Sequence, residues 1–318
     1  MTANPLLSEP ELPMGYPPFH LVRPEHFGPA FEEGMAAQRR EVSAIAENPA
    51  PPTFENTLEA LERTGRTLQR VKLVFFNLVG ADTNDALEAL RTDLSPRLAA
   101  HTDAILLDPD LFRRVDAVHG RLPELGLDPE SRRLVERYHE VFVRAGAKLD
   151  EKAKERLKAL NAELAELSTR FSQNVLHEVN DSALVVERSE DLRGLSDAEI
   201  DNARRAADER GLEARYVIPL QNTSGQPVLA SLEDRELRRR VLETSLGRGS
   251  RGGSWDNREI VSRVARIRAE RARLLGYAHH AAYVLEDQTA KTAQAVNDLL
   301  AELVPPAVRN ARRDAQAL

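Results

Sequence analysis

Residues 150–179 read DEKAKERLKALNAELAELSTRFSQNVLHEV. Leu157, Leu160, Leu164, Leu167 and Phe171 recur at steps of three and four, which places all five on one stripe of an α-helix. Asp150 is a short acceptor side chain suited to cap the N-terminus. Asp150–Lys154 and Glu166–Arg170 set opposite charges one turn apart. Thirty helical residues extend about 45 Å. The heptad pattern fades after Phe171, which favours a long brace inside a large helical structure over a coiled-coil seam.

Toward the N-terminus the helical period persists. Residues 1–20 are proline-rich and read as an irregular arm, and residues 21–318 as the helical body. Pro24 suits a first helical position, and the segment to Glu47 reads as a helix ended by Asn48-Pro49-Ala50-Pro51-Pro52. Thr53 or Thr57 is expected to cap a helix reaching about Asn77. After Gly80-Ala81-Asp82, Thr83 is expected to cap another with Leu87, Leu90, Leu94 and Leu98 on one face and a kink at Pro96. Asp128-Pro129 opens a helix carrying Leu134, Tyr138 and Val141.

Beyond Val179 the period changes. Ser182-Ala183-Leu184-Val185-Val186 and Tyr216-Val217-Ile218-Pro219-Leu220 read as short strands. Gln221-Asn222-Thr223-Ser224-Gly225-Gln226 reads as a turn, from which Pro227-Val228-Leu229-Ala230 returns. This predicts a small β-hairpin or sheet set in a mainly α, multi-helix assembly. Helices resume near Asp234. One ends at Gly247 and another covers residues 260–275. Thr292 is expected to cap a helix bearing Val296, Leu299, Leu300 and Leu303, and Pro305-Pro306 to interrupt it and start the next. There Val308, Ala311, Ala315 and Leu318 share an apolar face, and such a face needs a partner surface. The sequence stops on that face without a cap, so a missing C-terminal portion is expected.

The 318 residues are 42% hydrophobic and 30% charged, a globular composition. A net charge of −7 gives no general attraction to nucleic acid or anionic lipid. With no cysteine, disulfides, thiolate metal sites and cysteine nucleophiles are excluded. The start lacks a basic cluster followed by an apolar run, and no stretch approaches the roughly 20 apolar residues of a membrane span. A cytoplasmic protein is expected, with neither nucleic acid nor membrane as partner.

A water-activating zinc site on a helix needs His-Glu-x-x-His, whose four-residue spacing points both imidazoles at one ion. Among the eight histidines no pair is four apart. His139-Glu140 and His177-Glu178 have the right start, but Val143 and Asp181 stand where the second histidine belongs. Adjacent His279 and His280 diverge by about 100° on a helix and read as capping or core residues. Neither Gly-x-Ser-x-Gly nor Gly-x-x-x-x-Gly-Lys occurs. The stretch Gly247-Arg248-Gly249-Ser250-Arg251-Gly252-Gly253 offers amides and two arginines, either to an anion such as a peptide carboxylate or as a plain connector.

Several stretches resemble the thimet-oligopeptidase family of zinc metallopeptidases, in its bacterial peptidyl-dipeptidase and oligopeptidase A branch. They are PTFENT at 52–57 with the LEALERTGR that follows, FFNLVGADTND at 75–85 and FVRAGAKLDEKAKERLKALNAELAELSTRFSQNVL at 142–176. YVIPLQNTSGQPVL at 216–229 and DNREIVSRVARIRAERARLLGY at 256–277 complete the ordered set. The resemblance implies a mainly helical enzyme with two lobes flanking a narrow channel for short peptides, and zinc held deep within it. It further implies that the His-Glu-x-x-His helix and the other zinc ligands lie beyond this chain. This chain is then the N-terminal portion, one wall of the channel, with no catalytic or metal residue of its own and no activity or zinc alone. The hairpin residues Gln221 and Asn222 are candidates for substrate contact, or purely structural. The rival expectation is a catalytically dead helical protein that holds peptides or serves as a scaffold.

Overall fold

A computed structural model describes residues 4–8, 12–220 and 226–317. Helices α1 (Phe27–Ala46), α2 (Ala60–Glu62), α3 (Arg66–Ala81), α4 (Asp85–Leu106), α5 (Pro109–Gly120), α6 (Pro129–Ala145) and α7 (Glu151–Asp181) come first. Strand β1 (Leu184–Val186), helix α8 (Asp197–Asp208) and strand β2 (Tyr216–Ile218) follow. Helices α9 (Arg235–Leu246), α10 (Arg258–Leu274), α11 (His280–Leu285) and α12 (Ala293–Ala317) complete the order. The protein is mainly α with a small antiparallel sheet, as its periodicity predicts. Contacts divide it into two compact units, Met1–Ala165 with Ala265–Leu318, and Glu166–Val264.

In the first unit α1 and α3 pack through Phe27, Phe31 and Phe75, whose rings meet edge to face at 5.1 and 5.3 Å. Gly34 makes this approach possible, since a Cβ there would sit 2.9 Å from the Leu68 Cα. A second cluster joins Leu58, Leu111, Val115, Val118, Val135 and Phe142. The helix expected from residue 53 to Asn77 is broken: a π-helical turn at Phe54–Glu59 runs into α2, and the chain turns at Gly65, whose φ is +72°. Only a residue without Cβ takes that conformation freely. Thr53 does cap the π-helical turn, accepting from the Asn56 amide at 3.1 Å. The cap of α4 is Asn84, not Thr83, and it accepts from the Leu87 amide.

Helix α7 matches its prediction, and Asp150 caps it by accepting from the Ala153 amide at 2.8 Å. Lys154 pairs with Glu151 instead of Asp150. Leu157, Leu160 and Leu167 are buried, Leu164 half-buried, and Phe171 exposed.

In the second unit β1 and β2 pair antiparallel with Leu184 opposite Ile218 and Val186 opposite Tyr216. Their inner faces join Leu192, Leu220, Leu237 and Val241 in one core. Strand β2 therefore pairs backward along the chain, across α8, and Pro227–Ala230 is a 3-10 turn, not a returning strand. Proline has no N–H for a ladder and its fixed φ suits a first helical position.

The prolines near the C-terminus do not interrupt α12, which runs through Pro305 and Pro306. They leave the carbonyls of Ala301 and Glu302 without helical donors. Both residues are exposed. Helix α4 likewise continues through Pro96.

Candidate functional site

The histidines that begin His-Glu sequences have other partners. On α6, His139 stacks on His119 of α5 with ring centroids 3.8 Å apart and planes 7° from parallel. Its Nε2 lies 3.1 Å from an Asp116 carboxylate oxygen. An imidazole binds a metal in its ring plane, and no ion lies in two stacked planes at once. Burial, then the neighbouring His119, holds the His139 pKa below its ordinary value. On α7, His177 stacks on Trp255 at 4.4 Å. His279 caps α11, its Nδ1 accepting from the Ala282 amide at 3.1 Å, in line with the capping role read from the sequence. Among the described residues no group of three or more His, Asp or Glu is placed to hold a metal ion.

The glycine-rich stretch at 247–253 is fastened to the end of α7. The Gly249 amide donates to the buried Glu178 carboxylate. Arg251 donates to the Ser182 hydroxyl and the Thr244 carbonyl and lies 3.5 Å from Glu178. Asn174 donates to Asn257 at 2.9 Å, and Asn257 donates to the Phe171 carbonyl at 3.2 Å. These bonds explain why the buried side of α7 turns polar after Leu167. They favour the connector reading, because Arg251 is already engaged.

Gln221 and Asn222 lie outside the described residues. Immediately before them Leu220 is buried, and beside β2 is a small cleft of about 240 Å³ lined by Ala203, Val217, Pro219, Pro227 and Val228. A larger cleft of about 440 Å³ lies in the first unit among α1, α3, α4 and α6. Its walls include Gln38, Glu62, Gln69, Lys72, His101 and Tyr138. Tyr138 donates its hydroxyl to Glu62, and His101 Nε2 meets the Gln38 side-chain oxygen at 2.8 Å. Burial, with Arg39 and Lys72 nearby, holds the His101 pKa below its ordinary value, and burial raises that of Tyr138. Sequence reading missed this cleft because its residues come from separate helices with no local spacing to link them.

Fold and clefts define a mainly helical protein with room for small ligands and, among its described residues, no metal-binding cluster. Residues 228–318 match Peptidase family M3. The chain is 45% identical to dipeptidyl carboxypeptidase of Salmonella typhimurium over 96% of its own length and 45% of the relative's. It is 44% identical to the protein of the same name from Escherichia coli, over 98% of the chain and 46% of that relative. Oligopeptidase A of Haemophilus influenzae is 27% identical over 99% of the chain and 46% of its own length. The chain thus spans about half the length of these curated relatives.

Proposed function

We propose that this chain is the N-terminal portion of a cytoplasmic zinc peptidase that removes dipeptides from the carboxyl ends of short peptides, and that it shapes the substrate channel. The observation that carries this reading is the 45% identity to a dipeptidyl carboxypeptidase along nearly the whole chain. The metal and the steps that depend on it are assigned to the remainder of the longer protein. That remainder is the partner expected on α12, whose Leu299, Leu300, Leu303 and Val304 are exposed. Gln221 and Asn222 are assigned to contact an extended peptide, which can pair with a sheet edge.

The test is metal analysis and a dipeptide-release assay on the 318-residue chain and on the chain joined to its natural downstream sequence. The chain alone is expected to retain no stoichiometric zinc and release nothing, and the longer protein to do both. Chelator-sensitive hydrolysis by the chain alone would overturn the division of labour. A reading frame that continues without a His-Glu-x-x-His helix would favour a peptide-holding scaffold.

A further inference from the structure

The 440 Å³ cleft has the size of a small-molecule site. Of the residues that line it, one is a carboxylate, Glu62, and one an ammonium, Lys72. Neither has an ion-pair partner among the described residues, although both face the same space. One oxygen of Glu62 accepts the Tyr138 hydroxyl, which orients the carboxylate and leaves its other oxygen open. The remaining polar wall is neutral amide and hydroxyl, chiefly Gln38, Gln69 and Thr102. His101, buried in this wall, keeps its Nδ1 without a hydrogen-bond partner. A cleft that carries one carboxylate, one ammonium and neutral polar groups on its wall complements a molecule carrying both charges.

We propose that this cleft binds a small peptide zwitterion, its carboxylate on Lys72 and its ammonium on Glu62. The choice of a dipeptide as that zwitterion rests on the peptidase reading. The charge complementarity does not.

Calorimetric titration of the chain with alanyl-alanine, its N-acetyl derivative and its carboxyl amide tests the assignment. The free dipeptide is expected to bind saturably, and either blocked form at least about tenfold more weakly, about 1.4 kcal/mol. Lys72→Gln should weaken the free dipeptide by a similar factor and remove its advantage over the amide. Glu62→Gln should do the same for the acetyl form, while its side-chain oxygen still accepts from Tyr138. Absence of saturable binding, or equal affinities for all three ligands on the unsubstituted protein, overturns the proposal without relying on any variant's folding. Dipeptide release by the longer protein is measured alongside. Hydrolysis without zwitterion binding sinks the cleft assignment alone. Zwitterion binding without hydrolysis sinks the peptidase reading and leaves the cleft standing.

Discussion

Arg114 shows how one side chain fixes a turn that its neighbours in sequence do not specify. It is buried on α5, donating from Nη1 to the carbonyls of Asn48 and Ala50 at 2.8 and 3.0 Å and from Nη2 to the Asn56 side chain at 2.9 Å. The planar fork serves three acceptors at once, which a lysine ammonium cannot match in that geometry. Arg114→Lys is therefore expected to lower stability by about 1.5–3 kcal/mol, read from the urea midpoint, as hydrogen bonds to a charged group are lost. An unchanged midpoint would show that the turn holds itself. His139 supplies a pH prediction. It faces His119 and Asp116 on α5 and Lys148 beyond α6, and its folded pKa lies below the ordinary value because burial and His119 outweigh Asp116. In the unfolded chain the ring takes up a proton near pH 6.5. The unfolded state then binds more protons, so stability is full above about pH 6.5 and falls as the pH drops through that value toward the folded pKa. His101 and His280 are shifted the same way and add to the slope. His139→Gln should flatten, but not abolish, the loss of stability between pH 7.5 and 5.5, and a slope identical to that of the unsubstituted protein contradicts the assignment.

At the scale of elements, the contact of α1 with α3 depends on Gly34, whose place against the Leu68 backbone leaves no room for a methyl group. Gly34→Ala gains helix propensity of about 1 kcal/mol but must push the helices apart, and overpacking costs about 1–3 kcal/mol. A net loss of stability is expected, and a gain would mean that the two helices separate freely. The sequence shows α1 and α7 directly because their apolar positions keep a helical period and their ends carry recognisable signals. Helices α5 and α8 escaped notice although Asp108-Pro109 and the Ser196–Glu199 capping box announce them. The break at Gly65 was hidden because Leu61, Leu68, Val71 and Val74 continue an apolar spacing across it. The partner of β2 was misread for a different reason. Proximity in sequence favours a hairpin with residues 227–230, whereas burial of Leu184 and Val186 beside Ile218 selects the pairing across α8. The large cleft was illegible because Glu62, Lys72, His101 and Tyr138 become neighbours only after four helices pack.

For the whole molecule, the telling feature is a helix that faces water where its pattern says it should not. Along α12, Leu299 is 56% exposed, Leu303 54% and Val308 40%, and among its described residues none is buried. Apolar surface left in water forgoes about 25 cal/mol per Å² of burial. A partner that covers the stripe therefore gains substantially, and the chain spans about half the length of the curated relatives it matches. Leu303→Ala separates the two situations. In the 318-residue chain the side chain is largely solvated, so the substitution should change stability by less than about 0.5 kcal/mol. In the longer protein, where the stripe is expected to be covered, removing the same side chain should cost about 2–5 kcal/mol. Chemical denaturation of both pairs reads the difference directly. Equal and small effects would mean that α12 stays uncovered in both, and the proposed assignment of its apolar face to a downstream portion would fall while the sequence likeness remained.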